Sequence, residues 1–491
     1  MPIKMNKEKQ VVRKDVLVVG GGTAGFVAAI AAARNGASVL LLEAHDHLGG
    51  THSGGMVMMI RSMRHMRAPG SFQEKKLMVT GYESSFEDEQ LVRSIAQEYI
   101  DRMLAIGSAW GQKGQAATRQ MFDPEIAKWV IEQMVQEAGV EVWLNTQASD
   151  VLMDGNRIVG VTVESLHDSI EIHAGVTIDT TGDGEIAAAA GAQYEMGSPE
   201  DGKHQPLSLY FAIGGVNLDK TLAYMREHPD EFGRDYVEKS LQLHSEQKPF
   251  TMIAFKEQIR KALAKGEYPI PYGLKTVDPD AIMYVTRTMF RNGKFRYDFT
   301  YHNMDMAYNI DGTDRVEMSK ATLAMRELAN KMAIFYRNYV PGYEDSYLAY
   351  TAQSVGVRDT RRIVCDYTLT DDDVLNGRTF EDGIGRYGSV MDVHDKSGKK
   401  SVSLVAVGGS GWFHIPFRSL IPKGIENLLV AGRCISAEYN ALGSVRSQAA
   451  SMVTGQAVGT AAALSVKGNA TPRELPMSKL QGVLTSQDQI I

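Results

Sequence analysis

Residues 15–44 read DVLVVGGGTAGFVAAIAAARNGASVLLLEA, and the fold is decided by how this stretch is interpreted. Val16–Val19 is a short continuous apolar run, the pattern of a strand buried on both faces. Gly20, Gly22 and Gly25 follow as G-x-G-x-x-G, and an alanine-rich helix then runs to Asn35-Gly36, a stop signal. A second apolar run, Val39–Leu42, ends in Glu43. The first two glycines permit a tight turn and close backbone approach, while Gly25 lets helix and strand pack closely. The helix N-terminus offers free N–H groups and a partial positive charge to a pyrophosphate. Glu43, 18 residues past Gly25, can accept hydrogen bonds from a ribose. Strand, turn, helix, strand and terminal acid together specify a dinucleotide-binding unit.

A second glycine pattern, GIGRYG (383–388), follows RTFED and precedes SVMDVHDKSGKK, with neither an apolar strand before it nor helical periodicity after it. It reads as a glycine-rich loop rather than a second nucleotide site. Asp123-Pro124 caps and opens a helix that stops at Gly139, VEVWLN (140–145) reads as a strand, and VLMDGNRIVGVTVES (151–165) as two strands turning at Asp154–Asn156. GVTIDTTGDGEIAAAAGA (175–192) is a buried strand running into a glycine turn and a small-residue helix. Much later, IENLLVAGRCIS (425–436) supplies another buried strand, and LGSVRSQAASMVTGQAVGTAAALSV (442–466) a helix with small residues at close-packing spacing. Two distant segments thus return to one nucleotide-binding sheet. Residues 318–345 form a scaffold helix, with Ser319 as its cap and Pro341-Gly342 as its stop.

The chain has 491 residues, enough for about two or three domain-sized units. Its composition is that of a globular protein. A net charge of −7 argues against nucleic acid or an anionic membrane as partner, since both select a basic face, and points to a small-molecule substrate. No secretory signal and no apolar run of about 18 residues is expected, so the reading is cytoplasmic with no membrane partner, and a homo-oligomer is possible. Cys365 and Cys434 lie far apart without a CxxC, which excludes a redox-dithiol motif and a cysteine zinc site. His302 and His394, each near an Asp, match no metal-ligand spacing, so no metal is expected. MVMMIRSMRHM (56–66) holds five of the 25 methionines, either as core packing or as a pliable wall beside a cofactor.

On VVGGGTAGFVAAIAAARNGASVLLLEAHDHLGG, IDTTGDGEIAAAAGA, GVRDTRRIVCDYTLTDDDV, IPFRSLIPKGIENLLVAGRCIS and SQAASMVTGQAVGTAAAL, the chain resembles the FAD-dependent oxidoreductases of the glutathione-reductase-like superfamily. The resemblance implies an α/β architecture: a Rossmann-like FAD-binding domain built from residues 15–70, 120–204 and 411–470, a helical segment at 71–119, and an inserted α+β substrate domain at 205–410. It further implies that Gly20, Gly22, Thr23, Ala24 and Gly25 hold the pyrophosphate of FAD and Glu43 the adenosine ribose. Gly50 and Thr51 would approach the phosphates or ribityl chain, and Ala148 the adenine. Gly182 and Asp183 would line the dinucleotide, and Gly432 and Arg433 the ribityl chain. Gly443 and Ser444 would open a helix facing the flavin, where its dipole stabilises the negative charge of the reduced ring.

The loop GGTHSGGMV (49–57) then carries His52 toward the flavin ring. In related succinate dehydrogenase and fumarate reductase flavoproteins a histidine in the comparable loop can bond covalently to the flavin, but THSGGM is shorter than their stretch. Covalent attachment, contact with flavin or substrate, and a structural histidine all remain open. Arg358 in GVRDTRR could fix a substrate carboxylate, and His414, Tyr439 and Arg446 are further candidates. The expected catalytic set is His52, Arg358 and His414 around a pocket between the His52 loop and the inserted domain. FAD without an NAD(P)H site, dithiol or metal motif implies two-electron hydride transfer at flavin N5, by C–H oxidation or C=C reduction of a small organic substrate. A flavin monooxygenase and a noncatalytic flavin-bound structural partner are the alternatives.

Overall fold

The computed structural model of the chain describes residues 8–65, 89–165, 168–282, 284–400 and 402–491. Met66 and the first part of the expected helical segment at 71–119, up to residue 88, lie outside them; beyond it a helix spans Ile95–Ala105.

The first sheet contains β1 (Glu8–Val19), β2 (Val39–Leu42), β3 (Glu141–Trp143), β4 (Ala148–Asp154), β5 (Arg157–Glu164) and β6 (Asp168–Asp179), in the order β3-β2-β1-β6-β5-β4. Leu428–Val430 joins it as a seventh strand, parallel to β6. β3, β2, β1 and β6 run parallel, with Val16 opposite Val39 on one side and Val176 on the other. β5 and β4 add an antiparallel hairpin beyond β6. Val16–Val18 are fully buried in the interior of the parallel sheet, with Thr23–Arg34 and Gln448–Gly468 packed against this strand, which is why it reads as an unbroken apolar run.

The helix Thr23–Arg34 lies against the long helix Gln448–Gly468. A Cβ on Gly455 would stand 2.3 Å from the Ala24 carbonyl oxygen, and one on Gly459 2.1 Å from that of Ala28, so the small-residue spacing is a backbone-to-backbone contact. By length and composition Gln448–Gly468 could cross a membrane, contrary to the expectation of no such stretch, but 94% of its apolar window is buried inside this fold.

The second sheet is wholly antiparallel, in the order β8-β9-β10-β7-β11, from β7 (Phe211–Gly214), β8 (Thr251–Met252), β9 (Tyr284–Arg291), β10 (Lys294–Met304) and β11 (Tyr347–Thr351). One face carries His302, stacked on Phe211 at 4.9 Å and bonded to Thr286 and Thr300, under the helix Arg315–Tyr339. This helix is capped by Asp314, which accepts from the N–H groups of Val316 and Glu317, and not by Ser319, which lies inside it and donates back to Arg315. A carboxylate meeting two orphan donors makes the better cap.

The second core runs from Leu207 to Ala352 and takes in Met56, Met58, Met59 and Met121. From Ile363 to Met391 the apolar side chains return to the first core. As a packing unit the insertion therefore ends near residue 357, short of the expected 410, because the strand Arg361–Ile363 pairs with Tyr194–Met196. Gly383–Tyr387, expected as a loop, is a strand paired antiparallel with Phe413–Pro416; a partner distant in sequence supplies the ladder that local pattern does not show.

Candidate active site

A cleft of about 1120 Å³ runs past the C-terminal ends of β1, β2, β6 and Leu428–Val430 and continues under the second sheet. It exceeds the roughly 300–1,000 Å³ of a drug-sized site, as a dinucleotide with a substrate beside it requires.

At the first end Gly22 caps the helix Thr23–Arg34 with extended backbone, and a Cβ there would meet nothing within 4 Å. No side chain caps that helix, so its first turn, with Thr23 and Ala24, opens onto the cleft. A Cβ on Gly25, by contrast, would fall 1.8 Å from the Gly20 carbonyl oxygen: Gly25 is off the cleft wall and serves the turn. Glu43 accepts from Gly21 N at 2.6 Å through Oε2, and from His45 N at 2.8 Å and His45 Nδ1 at 2.7 Å through Oε1. Burial opposes its charge, yet these bonds from His45 and Gly21 hold it below the ordinary glutamate value. This open glycine turn, uncapped helix start and fixed carboxylate fit the pyrophosphate and ribose of FAD.

Gly20, Gly50, Thr51, Ala148, Gly182, Asp183, Gly432 and Arg433 also line the cleft. Arg433 clamps the loop after β6, reaching Asp183 at 2.8 Å and Thr360 at 2.8 Å. Gly443 and Ser444 do not line it. They lie within a separate short helix, Tyr439–Val445, where a Cβ on Gly443 would abut the Asp392 backbone and Ser444 donates to the Ser389 carbonyl at 2.6 Å. The long helix opens later, at Ser447-Gln448, and Ser447, Gln448 and Ser451 face the cleft instead. The chain breaks there because Ser447 is extended, its hydroxyl bonded to that of Tyr387 rather than capping its own helix.

His52 is fully buried and is not on the cleft wall. It sits in the short turn Gly50–His52; with Gly50 and Thr51 facing the cleft, its ring turns inward among Phe26, Tyr99 and Phe122, with centroids 5.3–6.3 Å away. Its Nδ1 lies 3.0 Å from Thr23 Oγ1, and burial pushes its pKa down to about 3. His52 thus supports the phosphate-side wall from behind. His414 is also off the cleft. Phe413 and Ile415 point into the core, and strand alternation turns His414 the other way, onto Trp412 and the Phe380 backbone. Tyr439 is off the wall too, beneath the Arg362 guanidinium.

Arg358 lines the cleft, within a chain of alternating charge that sequence reading did not group with it. Arg61 Nη1 lies 2.8 Å from Asp392 Oδ2; Asp392 Oδ1 lies 3.3 Å from His394 Nε2. His394 Nδ1 lies 2.9 Å from Asp305 Oδ2, and Asp305 Oδ1 2.8 Å from Arg358 Nη2. Arg358 also donates to the Pro206 carbonyl. Burial alone would raise both aspartates, but Arg61 and His394 hold Asp392 well below the usual carboxylate range, and His394 and Arg358 hold Asp305 below it. His394, considered in the sequence only as a metal ligand beside His302, is therefore a cleft residue gripped by two carboxylates, while His302 lies in the second core. Among the described residues no group of three or more His, Cys, Asp or Glu is arranged to hold a metal ion.

Residues 15–484 match the FAD dependent oxidoreductase family. The chain belongs to that family. Among relatives, digeranylgeranylglycerophospholipid reductase 2 of Methanopyrus kandleri is 30% identical over 41% of this oxidoreductase and 50% of its own length. The digeranylgeranylglycerophospholipid reductase of Picrophilus torridus is 30% identical over 35% and 40%. Protein FixC of Escherichia coli is 26% identical over 30% and 33%. The matched regions thus span half or less of these relatives. A geranylgeranyl bacteriochlorophyll reductase-like structure from Thermoplasma acidophilum aligns over 97% of the oxidoreductase and 84% of that chain, at 12% identity and a TM-score of 0.44. The cofactor of the oxidoreductase is FAD.

Proposed function

We propose that the protein passes two electrons between bound FAD and a carbon of a small organic substrate seated at the end of the cleft walled by Arg358 and His394. The observation that carries this reading is continuity: one cavity holds the Gly22–Glu43 dinucleotide wall and the charged network. The parallel sheet extended by an antiparallel hairpin supports a glutathione-reductase-like placement of the dinucleotide. Gly22, Thr23, Ala24, Gly50 and Thr51 would hold the pyrophosphate, Glu43 the ribose, Ala148 the adenine, and Gly182, Asp183, Gly432 and Arg433 the connecting chain. When bound, FAD supplies hydride exchange at its N5.

The chain supplies the proton and the positioning. His394 lines the cleft with a carboxylate near each ring nitrogen, so its imidazole is placed to give or take the proton that accompanies hydride transfer at a neighbouring carbon. Asp305 and Asp392 fix its ring, and Arg61 and Arg358 fix the aspartates. The reductase names of the two archaeal relatives support reduction of a C=C bond as the working direction.

The direct experiment is anaerobic. Dithionite-reduced holoenzyme mixed with activated alkenes should recover its absorbance near roughly 450 nm, the flavin's own band. Bleaching of the oxidised enzyme by the saturated counterparts would reverse the direction. A flavin that exchanges electrons with dithionite but with no member of either panel would overturn the reading.

A further inference from the structure

The cleft wall carries more buried positive charge than its own carboxylates neutralise. Arg61 and Arg358 each have an aspartate partner, Asp392 and Asp305. Arg287 and Arg446 line the same cleft, and among the described residues neither has a carboxylate within ion-pair distance. Arg287, only 6% exposed, has Nη1 3.2 Å from the Tyr210 hydroxyl, and its buried Nε has no partner. Arg446 donates through Nη2 to the Asp392 backbone carbonyl at 2.9 Å, and its Nε is likewise unpartnered. Burial lowers the Arg446 pKa to about 10, with Asp392 opposing the fall and Arg358 and Arg61 adding to it.

Placement makes this a built feature rather than a stray charge. β9 and β10 pair with Arg287 opposite Tyr301 and the position of Val285 opposite Asn303, so Arg287, Tyr301 and Asn303 share one face of the second sheet. That face is the roof of the cleft, since Arg287, Asn303 and Tyr210 all line it. Asn303 Oδ1 is buried there without a partner too. Arg446 ends the short helix Tyr439–Val445 beside Asp392 and lines the cleft from there. A buried guanidinium without an anion is costly, and its planar fork suits carboxylate or phosphate oxygens two at a time.

We infer that the substrate carries an anionic oxygen group, carboxylate or phosphate, held by Arg287 and Arg446 on the cleft wall, beside the His394 network. The inference rests on the proposed flavin reaction at this site and names its substrate class: an organic acid or phosphate ester, not a neutral hydrocarbon. The anionic group would supply the counter-charge that Asp305 and Asp392 have already given to their own partners, leaving the reacting carbon near His394.

The test uses FAD-loaded protein and reads perturbation of the flavin absorption on titration. The probes are benzoate, malonate, inorganic phosphate and phenyl phosphate, with benzamide and malonamide as uncharged counterparts. At least one anion should bind tenfold or more tightly than the uncharged probes, with affinity falling as salt rises. The carboxylate and phosphate arms separate the two sources of charge. Arg287→Gln and Arg446→Gln should each weaken the preferred anion at least tenfold while flavin content and melting temperature stay close to those of the parent. If no anion outcompetes its uncharged counterpart, or if neither variant weakens binding, the inference fails. A loss confined to Arg446→Gln together with a shifted flavin potential would assign that residue to the cofactor and overturn the two-arginine clamp. Failure of the flavin reading is distinct: FAD-loaded protein whose flavin exchanges electrons with neither the alkenes nor their saturated counterparts would show it whatever the titration gives.

Discussion

Gly22 and Gly25 have the same type in one motif but opposite surroundings, and substitution separates them. Gly22→Val meets open space, at an ordinary negative φ, so the variant should fold and remain soluble yet purify colourless, its side chain occupying the phosphate position. Gly25→Val drives a branched side chain against the Gly20 carbonyl and should yield little folded protein. His52→Ala should keep flavin reduction and reoxidation while lowering stability by roughly 2–4 kcal/mol, the scale of a large buried truncation, read as a drop in melting temperature. The buried histidines also set an acid limit. His52 and His302 have folded pKa values pushed down to about 3 by burial, below their unfolded value near 6.5. Between those limits the unfolded chain binds more protons, so stability is full above about pH 6.5 and falls as pH drops toward 3. Urea midpoints measured across that range should decline with acid, and His302→Gln should flatten the decline. Arg358→Leu is a harsher change than a surface arginine replacement, because it leaves the Asp305 carboxylate with His394 as its remaining partner; a fall in melting temperature is expected alongside impaired substrate-dependent flavin reoxidation.

At the scale of elements, two helices without a conventional amphipathic stripe hold the dinucleotide fold together. Thr23–Arg34 and Gln448–Gly468 touch through glycine and alanine, so each is buried nearly all round and neither shows a polar face in its sequence. Gly459→Val should separate them by placing a branched side chain on the Ala28 backbone, with loss of soluble protein or a fall in melting temperature equivalent to at least about 3 kcal/mol. Gly468→Ala, where a Cβ meets nothing within 4 Å, is the control and should be near neutral. The same contact explains why an apolar segment long enough for a membrane is a core helix: its partner is another helix at backbone distance. Strand alternation does comparable work at the site, turning Arg287 to the cleft while Thr286 and Thr288 face the second core.

For the whole molecule, the cleft is assembled from segments more than 400 residues apart, from Val19 to Ser451, and FAD would bridge them. Removal of FAD should therefore loosen both units together, and FAD at 1,000 times its dissociation constant should restore about 4 kcal/mol of apparent stability, read as one coincident rise in melting temperature by far-UV and near-UV circular dichroism. A rise in only one signal would indicate that the second sheet does not respond to the cofactor. The dinucleotide half of this architecture was legible in the sequence because its determinants are local: the glycine turn, the helix start and Glu43 follow one another within a single βαβ unit, and backbone geometry fixes their relation. The buried strand at Leu428–Val430 was legible for the same reason, as a continuous apolar run. At the charged end Arg358 and Arg446 were legible as candidates, but their grouping with Arg61, Arg287, Asp305, Asp392 and His394 was not, because these residues come from separate segments and acquire their partners only on packing. His52 and His414 illustrate the converse: Gly50 and Thr51 face the cleft while the turn sends His52 inward, and the strand that carries His414 does not reach the cleft. By itself the sequence determined that this chain folds around a dinucleotide, since that information lies in short-range backbone requirements. Only the tertiary structure decided which ionisable groups face the substrate, since side-chain direction and charge pairing depend on contacts between segments that are remote along the chain.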